Sequence, residues 1–144
     1  MVVVFDVDGT LANIEHRRTY VQTKPRNWNA FNAAIIYDKP YEDIVALSNI
    51  MSDAGYSIIL CSGRSDDTRE VTHHQMVKFG VPYKALYMRK EKDYRDDGIV
   101  KVELLHQIRK DHGEPFLWFD DRNRVVDAIR AEGVRVLQVA PGNF

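Results

Sequence analysis

Five short apolar runs punctuate the chain: VVVF (Val2 to Phe5), YSIILC (Tyr56 to Cys61), ALYM (Ala85 to Met88), FLWF (Phe116 to Phe119) and VRVLQV (Val134 to Val139). Largely continuous apolar stretches of this length fit strands covered on both faces, as in a parallel sheet. Between them lie segments of helical spacing. In YEDIVALSNIMSDAG, residues Ile44, Leu47, Ile50 and Met51 are expected to form one buried stripe; acids crowd its first turn, and Gly55 sits where a C-cap belongs. DDTREVTHHQMVKFG repeats the plan with Val71, Met76, Val77 and Phe79 before Gly80, and DGIVKVELLHQIRKDHG and RNRVVDAIRAEG follow. Strand and helix in alternation predict an α/β fold, a Rossmann-like doubly wound parallel sheet.

The length of 144 residues suits one domain spanning 1–144. A formal net charge of −1 argues against strong nonspecific attraction of the whole surface to nucleic acid or to an anionic membrane. Cys61 is the single cysteine, so no internal disulfide is expected, and no apolar run reaches the length of a membrane span. These features, without a signal-peptide pattern at the start, point to the cytoplasm. Residues 11–40 break the alternation. They are polar and far longer than a normal loop of about 2–6 residues after a strand, so a small lid or cap insertion is expected there.

Ligands of an open α/β sheet bind outside the carboxyl ends of its strands. The first run ends in Asp6-Val7-Asp8-Gly9-Thr10, the second in Ser62-Gly63-Arg64 and the fourth in Asp120-Asp121; Lys101 opens the helix before that fourth strand. Clustered carboxylates repel one another unless a cation relieves them, and all-oxygen ligation points to Mg2+, which commonly bridges to a phosphate oxygen. Ser62, Gly63, Arg64, Lys101 and the backbone around Gly9 and Thr10 are then the expected phosphate-binding groups. A carboxylate can itself attack phosphorus. Gly9 lets the chain turn back so that both aspartates face one substrate, with Asp6 as nucleophile and Asp8 as proton donor and then base toward water.

DVDGT, the Ser62 of CSGR, Lys101 and the Asp120-Asp121 pair together resemble the four motifs of the haloacid dehalogenase (HAD) superfamily, in matching order. The resemblance implies the HAD fold and phosphatase or phosphotransferase chemistry. It further implies metal ligation by the carboxylates of Asp6 and Asp120 and the main-chain carbonyl of Asp8, with Asp121 in support. From residue 1 onward, FDVDGTLAN, GYSIILCSGR, YMRKEKDYRDDGIVK, FDDRNRVVDAIRAEGV and LQVAPGNF are similar to the phosphatase domain of bacteriophage-type polynucleotide kinase/3'-phosphatase. That family places an arginine after the serine and glycine of the second motif and an aspartate four residues before the lysine; these match Arg64 and Asp97. Its bifunctional members carry a kinase domain, but no G-x-x-x-x-G-K-[ST] occurs in this sequence, so no kinase activity is expected and a separate kinase or ligase chain becomes a candidate partner.

The resemblance implies a phosphate monoester substrate at a nucleic acid 3' end, as in nucleic acid repair; a mononucleotide or another small ester is the alternative. Residues 16–26 hold Arg17, Arg18, Lys24 and Arg26 without an acid, and Lys84 to Arg95 holds five basic residues against two acidic ones. Arg17 and Arg18 are candidate nucleic-acid contacts, with Tyr20, Trp28 and Tyr37 as aromatic surfaces on which bases could stack; solvated surface charge is the competing reading. Asp96 or Asp97 could cap the helix near Gly98. A receiver-type phosphoacceptor module uses a similar residue set, but there the acidic pair comes first and the phosphorylated aspartate later, opposite to the order here. A nucleic-acid binding module without catalysis would have no use for the four motifs.

Overall fold

The computed structural model describes residues 1–144. In chain order it contains β1 (Val2–Phe5), β2 (Ala12–Asn13), α1 (Thr19–Gln22), α2 (Trp28–Ala33), β3 (Lys39–Pro40), α3 (Glu42–Asp53) and β4 (Ser57–Ser65). It continues through α4 (Arg69–Phe79), β5 (Tyr83–Arg89), α5 (Asp97–His112), β6 (Pro115–Asp120), α6 (Asn123–Ala131) and β7 (Val136–Gln138). All five predicted strands are present and pair in the order β5-β4-β1-β6-β7, parallel throughout.

Strand β1 shows why its apolar run is continuous. Val2 and Val4 face one core with Val100, Leu104, Leu105 and Ile108 of α5 and Val125, Val126 and Ile129 of α6. Val3 and Phe5 face the other, with Val45 of α3, Met76 of α4 and Leu11, Ile14 and Phe31 of the insertion. Burying each aliphatic side chain of this size stabilises by about 1.5–3 kcal/mol, so a strand sandwiched between two helical layers can spare no polar position. Phe5 also stacks on Phe119 of β6, ring centroids 4.6 Å apart. Cys61 and Trp118 belong to the α5/α6 core.

Two helix stripes differ from expectation. In α3, Ile44, Leu47 and Met51 of the expected stripe pack against the core beside the buried Val45 and Ser48, while Ile50 is exposed; in α4, Met76 and Phe79 pack there with the buried Thr72 and Gln75, while Val77 is exposed. The polar residues on these buried faces meet partners rather than lipid-like packing: Ser48 donates to the Val45 carbonyl, and Thr72 and Gln75 reach the functional groups described below. Residues 11–40 fold into short helical turns, α1 and α2, closed by the antiparallel ribbon of β2 with β3. No helix is long and apolar enough to cross a membrane.

Because β1 is flanked by β4 on one side and β6 on the other, its carboxyl end is the point where the strand order reverses. Ligand sites of open α/β sheets form at this crevice.

Candidate active site

Three strand ends and one helix start deliver the side chains. Asp6 follows β1; its backbone N–H donates to the Phe119 carbonyl at 2.9 Å, which carries the β1/β6 pairing up to the site. Its buried carboxylate accepts from Lys101 Nζ at 2.6 Å and from the Thr10 hydroxyl at 3.2 Å. Lys101, on the first turns of α5, also donates to Asp120 at 2.8 Å. Asp120 is further held by Trp118 Nε1 at 3.2 Å and the Asp121 N–H at 2.9 Å. Carboxylate oxygens of Asp6, Asp120 and Asp121, all buried, lie within 4.8 Å of one another.

Three carboxylates so close share one ammonium, and the imbalance shows in their acidities. Burial and the Asp120 charge push Asp6 well above its ordinary value despite Lys101. Burial and Asp120 likewise push Asp121 up to about 6. Burial alone would lower Lys101, but Asp120 and Asp6 outweigh it and raise the ammonium instead. A hard divalent cation fits this donor set: oxygen ligands only, net negative and repelling one another.

The second aspartate points the other way. Asp8 accepts from Arg64 Nη2 at 2.7 Å, Arg64 Nε at 3.0 Å and Arg17 Nη2 at 3.0 Å. Burial would raise its carboxyl, but the two guanidiniums outweigh burial and hold it below the usual value. Two aspartates one residue apart thus occupy opposite electrostatic settings. Their divergence depends on the turn after Asp8, where the Val7 carbonyl accepts from the N–H groups of Thr10, Leu11 and Ala12 and Gly9 adopts φ +82°. A Cβ on Gly9 would stand 2.0 Å from Asp121 Oδ2, so glycine also makes room for that carboxylate.

The donors expected of Gly9 and Thr10 toward phosphate are engaged within this turn. The Gly9 N–H is spent on the Ala12 carbonyl, the Thr10 N–H on Val7 and the Thr10 hydroxyl on Asp6. Arg17, expected at the surface, has no exposed surface: it donates to Asp38 at 2.8 and 2.9 Å and to Asp8, and stacks on Phe31. Its Nη1 is buried without a partner. Arg18 is half-buried, its guanidinium over the Phe144 ring and 3.9 Å from Asp121.

Ser62 is buried and its Oγ accepts from the Arg64 N–H at 3.0 Å, while Arg64 lies along the site wall. Gly63 has no space for a side chain, because a Cβ there would meet Asp97 Oδ1 at 2.7 Å. Asp97, the first residue of α5, pairs with Arg89 and, at 2.8 Å, with Arg122. Burial would raise its carboxyl, but Lys101, Arg122 and Arg89 outweigh burial and lower it. The helix cap is Asp96, whose carboxylate accepts from the Gly98 N–H at 2.9 Å.

Sequence reasoning passed over a third layer. Asp38, fully buried, accepts from Arg17, from Arg64 at 3.2 Å and from Gln75 at 3.1 Å, and His16 lies 2.6 Å from it. Gln75 accepts from Arg64 at 2.8 Å and Thr72 from Arg64 at 2.9 Å. The signal for Thr72 and Gln75 was present: two polar residues on what should be the apolar face of α4. Asp38 carried none, since it sits in a polar insertion among other polar residues.

A family model described as the polynucleotide kinase PNKP phosphatase domain matches residues 1–144. The chain belongs to this family. It is a HAD-type phosphatase, a phosphoric monoester hydrolase. Two solved structures described as the Pnkp1/Rnl/Hen1 complex, one of them as an RNA repair complex, resemble it at 31% identity with TM-score 0.84 and 30% with TM-score 0.78. Each match covers 99% of this chain but only 43% and 47% of the other, so the chain spans less than half the length of those relatives. A class C acid phosphatase from Bacillus anthracis, solved with tungstate bound, shares the fold at 18% identity and TM-score 0.67, the match covering 98% of this chain and 66% of that one.

Proposed function

We propose that this phosphatase removes phosphate from 3' ends of nucleic acid, with Mg2+ as cofactor and Asp6 as nucleophile. The observation that carries the mechanism is the opposed setting of Asp6 and Asp8: one beside Lys101 and the acidic cluster, the other clamped by Arg64 and Arg17. An Asp6 oxygen attacks phosphorus, the bond from phosphorus to the leaving alcohol oxygen breaks, and Asp8 gives that oxygen its proton. Water then attacks the aspartyl-phosphate while Asp8 takes a proton from it, releasing phosphate and restoring the Asp6 carboxylate.

Asp8 begins ionised because Arg64 and Arg17 hold it so. An incoming phosphate monoester competes for those guanidiniums and adds negative charge; both effects raise the Asp8 carboxyl, so that Asp8 takes up a proton from solvent as substrate binds and holds it for the leaving oxygen. The unpartnered Arg17 Nη1, Arg64, Ser62 and Lys101 supply donors to the phosphoryl oxygens. Asp6, Asp120 and Asp121, with the Asp8 carbonyl, would hold Mg2+, which supplies charge neutralisation between the carboxylates and a phosphoryl oxygen. Residues 11–40 are assigned as a small lid, since they bring Arg17 and Asp38 to the site.

The 3'-end reading is supported by family membership and by the likeness to Pnkp1, a component of an RNA repair assembly with Rnl and Hen1. By the same analogy a ligase or kinase acting on the same ends is the expected partner. Phosphate release from a 3'-phosphorylated oligonucleotide, its 5'-phosphorylated counterpart and a mononucleotide, compared side by side with Mg2+, tests this. Preference for the 3'-phosphorylated oligonucleotide supports end repair. Equal or faster turnover of the mononucleotide moves the enzyme to nucleotide metabolism.

A further inference from the structure

The segment from Lys90 to Asp96 joins β5 to α5 and is tied down at almost every step. Arg89 donates from Nη1 to the carbonyls of Asp93 at 3.0 Å and Arg95 at 2.7 Å. The Glu91 N–H donates to Asp66 Oδ1 at 3.0 Å, and Arg95 is locked between Asp93 and Glu103 at 2.7 and 2.6 Å. Tyr94, between the two carbonyls that Arg89 holds, is nevertheless 89% exposed. Its ring stacks on no other aromatic group, and its hydroxyl makes no hydrogen bond. Lys90 and Lys92 make no ion pair, whereas Arg89 and Arg95 beside them are both engaged.

The same arginine joins this segment to the active site. Arg89 Nε donates to the Gly63 carbonyl at 3.0 Å, and its guanidinium pairs with Asp97, which lies against Gly63. Tyr94 is three residues before Asp97, at most about 11 Å along the backbone. Trp28 is a weaker candidate for the same task, since its ring already packs edge-on against Phe31.

We infer that Tyr94 is a stacking platform for a base near the 3' end of a single-stranded nucleic acid, with Lys90 and Lys92 contacting its phosphates. The inference rests on the polynucleotide reading above and names where such a substrate lies. A loop held by these hydrogen bonds and ion pairs has less backbone freedom to lose on binding, and an exposed tyrosine offers a base a flat face irrespective of sequence. Two unpaired lysines beside it add the salt-dependent attraction for a phosphate backbone.

The test uses the full chain in an Asp6→Asn background, to stop turnover, with a 3'-phosphorylated single strand carrying 2-aminopurine at successive positions from the 3' end. Tyr94→Ala is expected to weaken binding about tenfold and to abolish the quenching of one 2-aminopurine position, while Tyr94→Phe keeps both. With Asp6 intact, Tyr94→Ala should turn over p-nitrophenyl phosphate at the wild-type rate, which shows that the fold and chemistry survive. Equal affinity and quenching in Tyr94→Ala, or no binding of the strand in the presence of Tyr94, overturns the platform. Binding that depends on Tyr94 without hydrolysis of the 3'-phosphate overturns the proposed substrate and leaves the platform standing.

Discussion

Lys101 Nζ lies 2.6 Å from Asp6 and 2.8 Å from Asp120, so one buried ammonium bridges the proposed nucleophile and a proposed metal ligand. The pairing offsets part of the cost of burying these carboxylates and restrains the Asp6 side chain. Without Lys101, three buried acids would face one another alone.

Replacing Lys101 with Met keeps the aliphatic stem and deletes the charge. Breaking a buried pair by removing one partner costs about 3–5 kcal/mol, because the remaining charge is left uncompensated. Denaturant unfolding in the absence of metal should show a loss of that size, and phosphatase turnover should vanish. Unchanged stability would contradict a stabilising role for the Lys101 pairs with Asp6 and Asp120.

The acidic cluster makes the metal-free protein sensitive to pH. Asp121 is pushed up to about 6, and Asp6 is raised as well, whereas an unfolded aspartate titrates near an ordinary value of about 3.9. Between those values the unfolded chain has released its protons and the folded chain has not. The contribution of Asp121 to stability is therefore greatest below about pH 4 and is lost as pH rises through about 6, and the raised Asp6 acts in the same direction. Above that range Asp121 is ionised, and Mg2+ held by the cluster would stabilise by about 2.7 kcal/mol at a hundredfold excess over its Kd. Thermal unfolding with Mg2+ and with a chelator should therefore diverge more at pH 7.5 than at pH 4.5. Equal shifts at both pH values would contradict a site at these carboxylates.

Gly9→Ala places a Cβ at φ +82°, 2.0 Å from Asp121 Oδ2. The left-handed conformation costs an alanine about 1–2 kcal/mol, and the collision displaces Asp121 as well. A misplacement of about 1 Å can cost about a hundredfold in rate. Magnesium titrations of activity should show weaker metal dependence together with the lower kcat; a fall in stability with normal metal affinity would mean that Asp121 is not part of the site.

The four motifs were legible because each is local and three of them end an apolar run, as Asp6 ends VVVF and Asp120 ends FLWF, while Lys101 lies at the start of a helical pattern. The sheet was legible for the same reason: β1, β4 and β6 are buried on both faces, so their pattern leaves no alternative. Arg17 and Asp38 were not, because their partners are distant in sequence: Arg64 lies 26 residues beyond Asp38 and 56 beyond Asp8. No periodicity marks a charge that becomes buried only when an insertion folds back. The helix stripes were legible only in part, since an apolar count placed Met76 and Phe79 correctly but also assigned Val77 to the core and passed over Gln75, which faces Arg64.

Gln75 provides a test of that buried layer. It accepts from Arg64 at 2.8 Å and donates to Asp38 at 3.1 Å and to the Ile35 carbonyl at 2.9 Å. Gln75→Leu leaves these groups short of partners and should destabilise by about 1–3 kcal/mol. Turnover should fall while Mg2+ affinity stays unchanged, because Gln75 supports the Asp8 clamp and not the acidic cluster. A variant with wild-type kcat would remove Gln75 from the account.

The most direct measurement is Mg2+-dependent phosphate release from a 3'-phosphorylated oligonucleotide by the wild-type chain and by Asp6→Asn, with circular dichroism to verify the fold of each. The account predicts turnover by the wild-type protein that stops on chelation and is absent in Asp6→Asn with its fold retained. Turnover by a folded Asp6→Asn protein at the wild-type rate would contradict it.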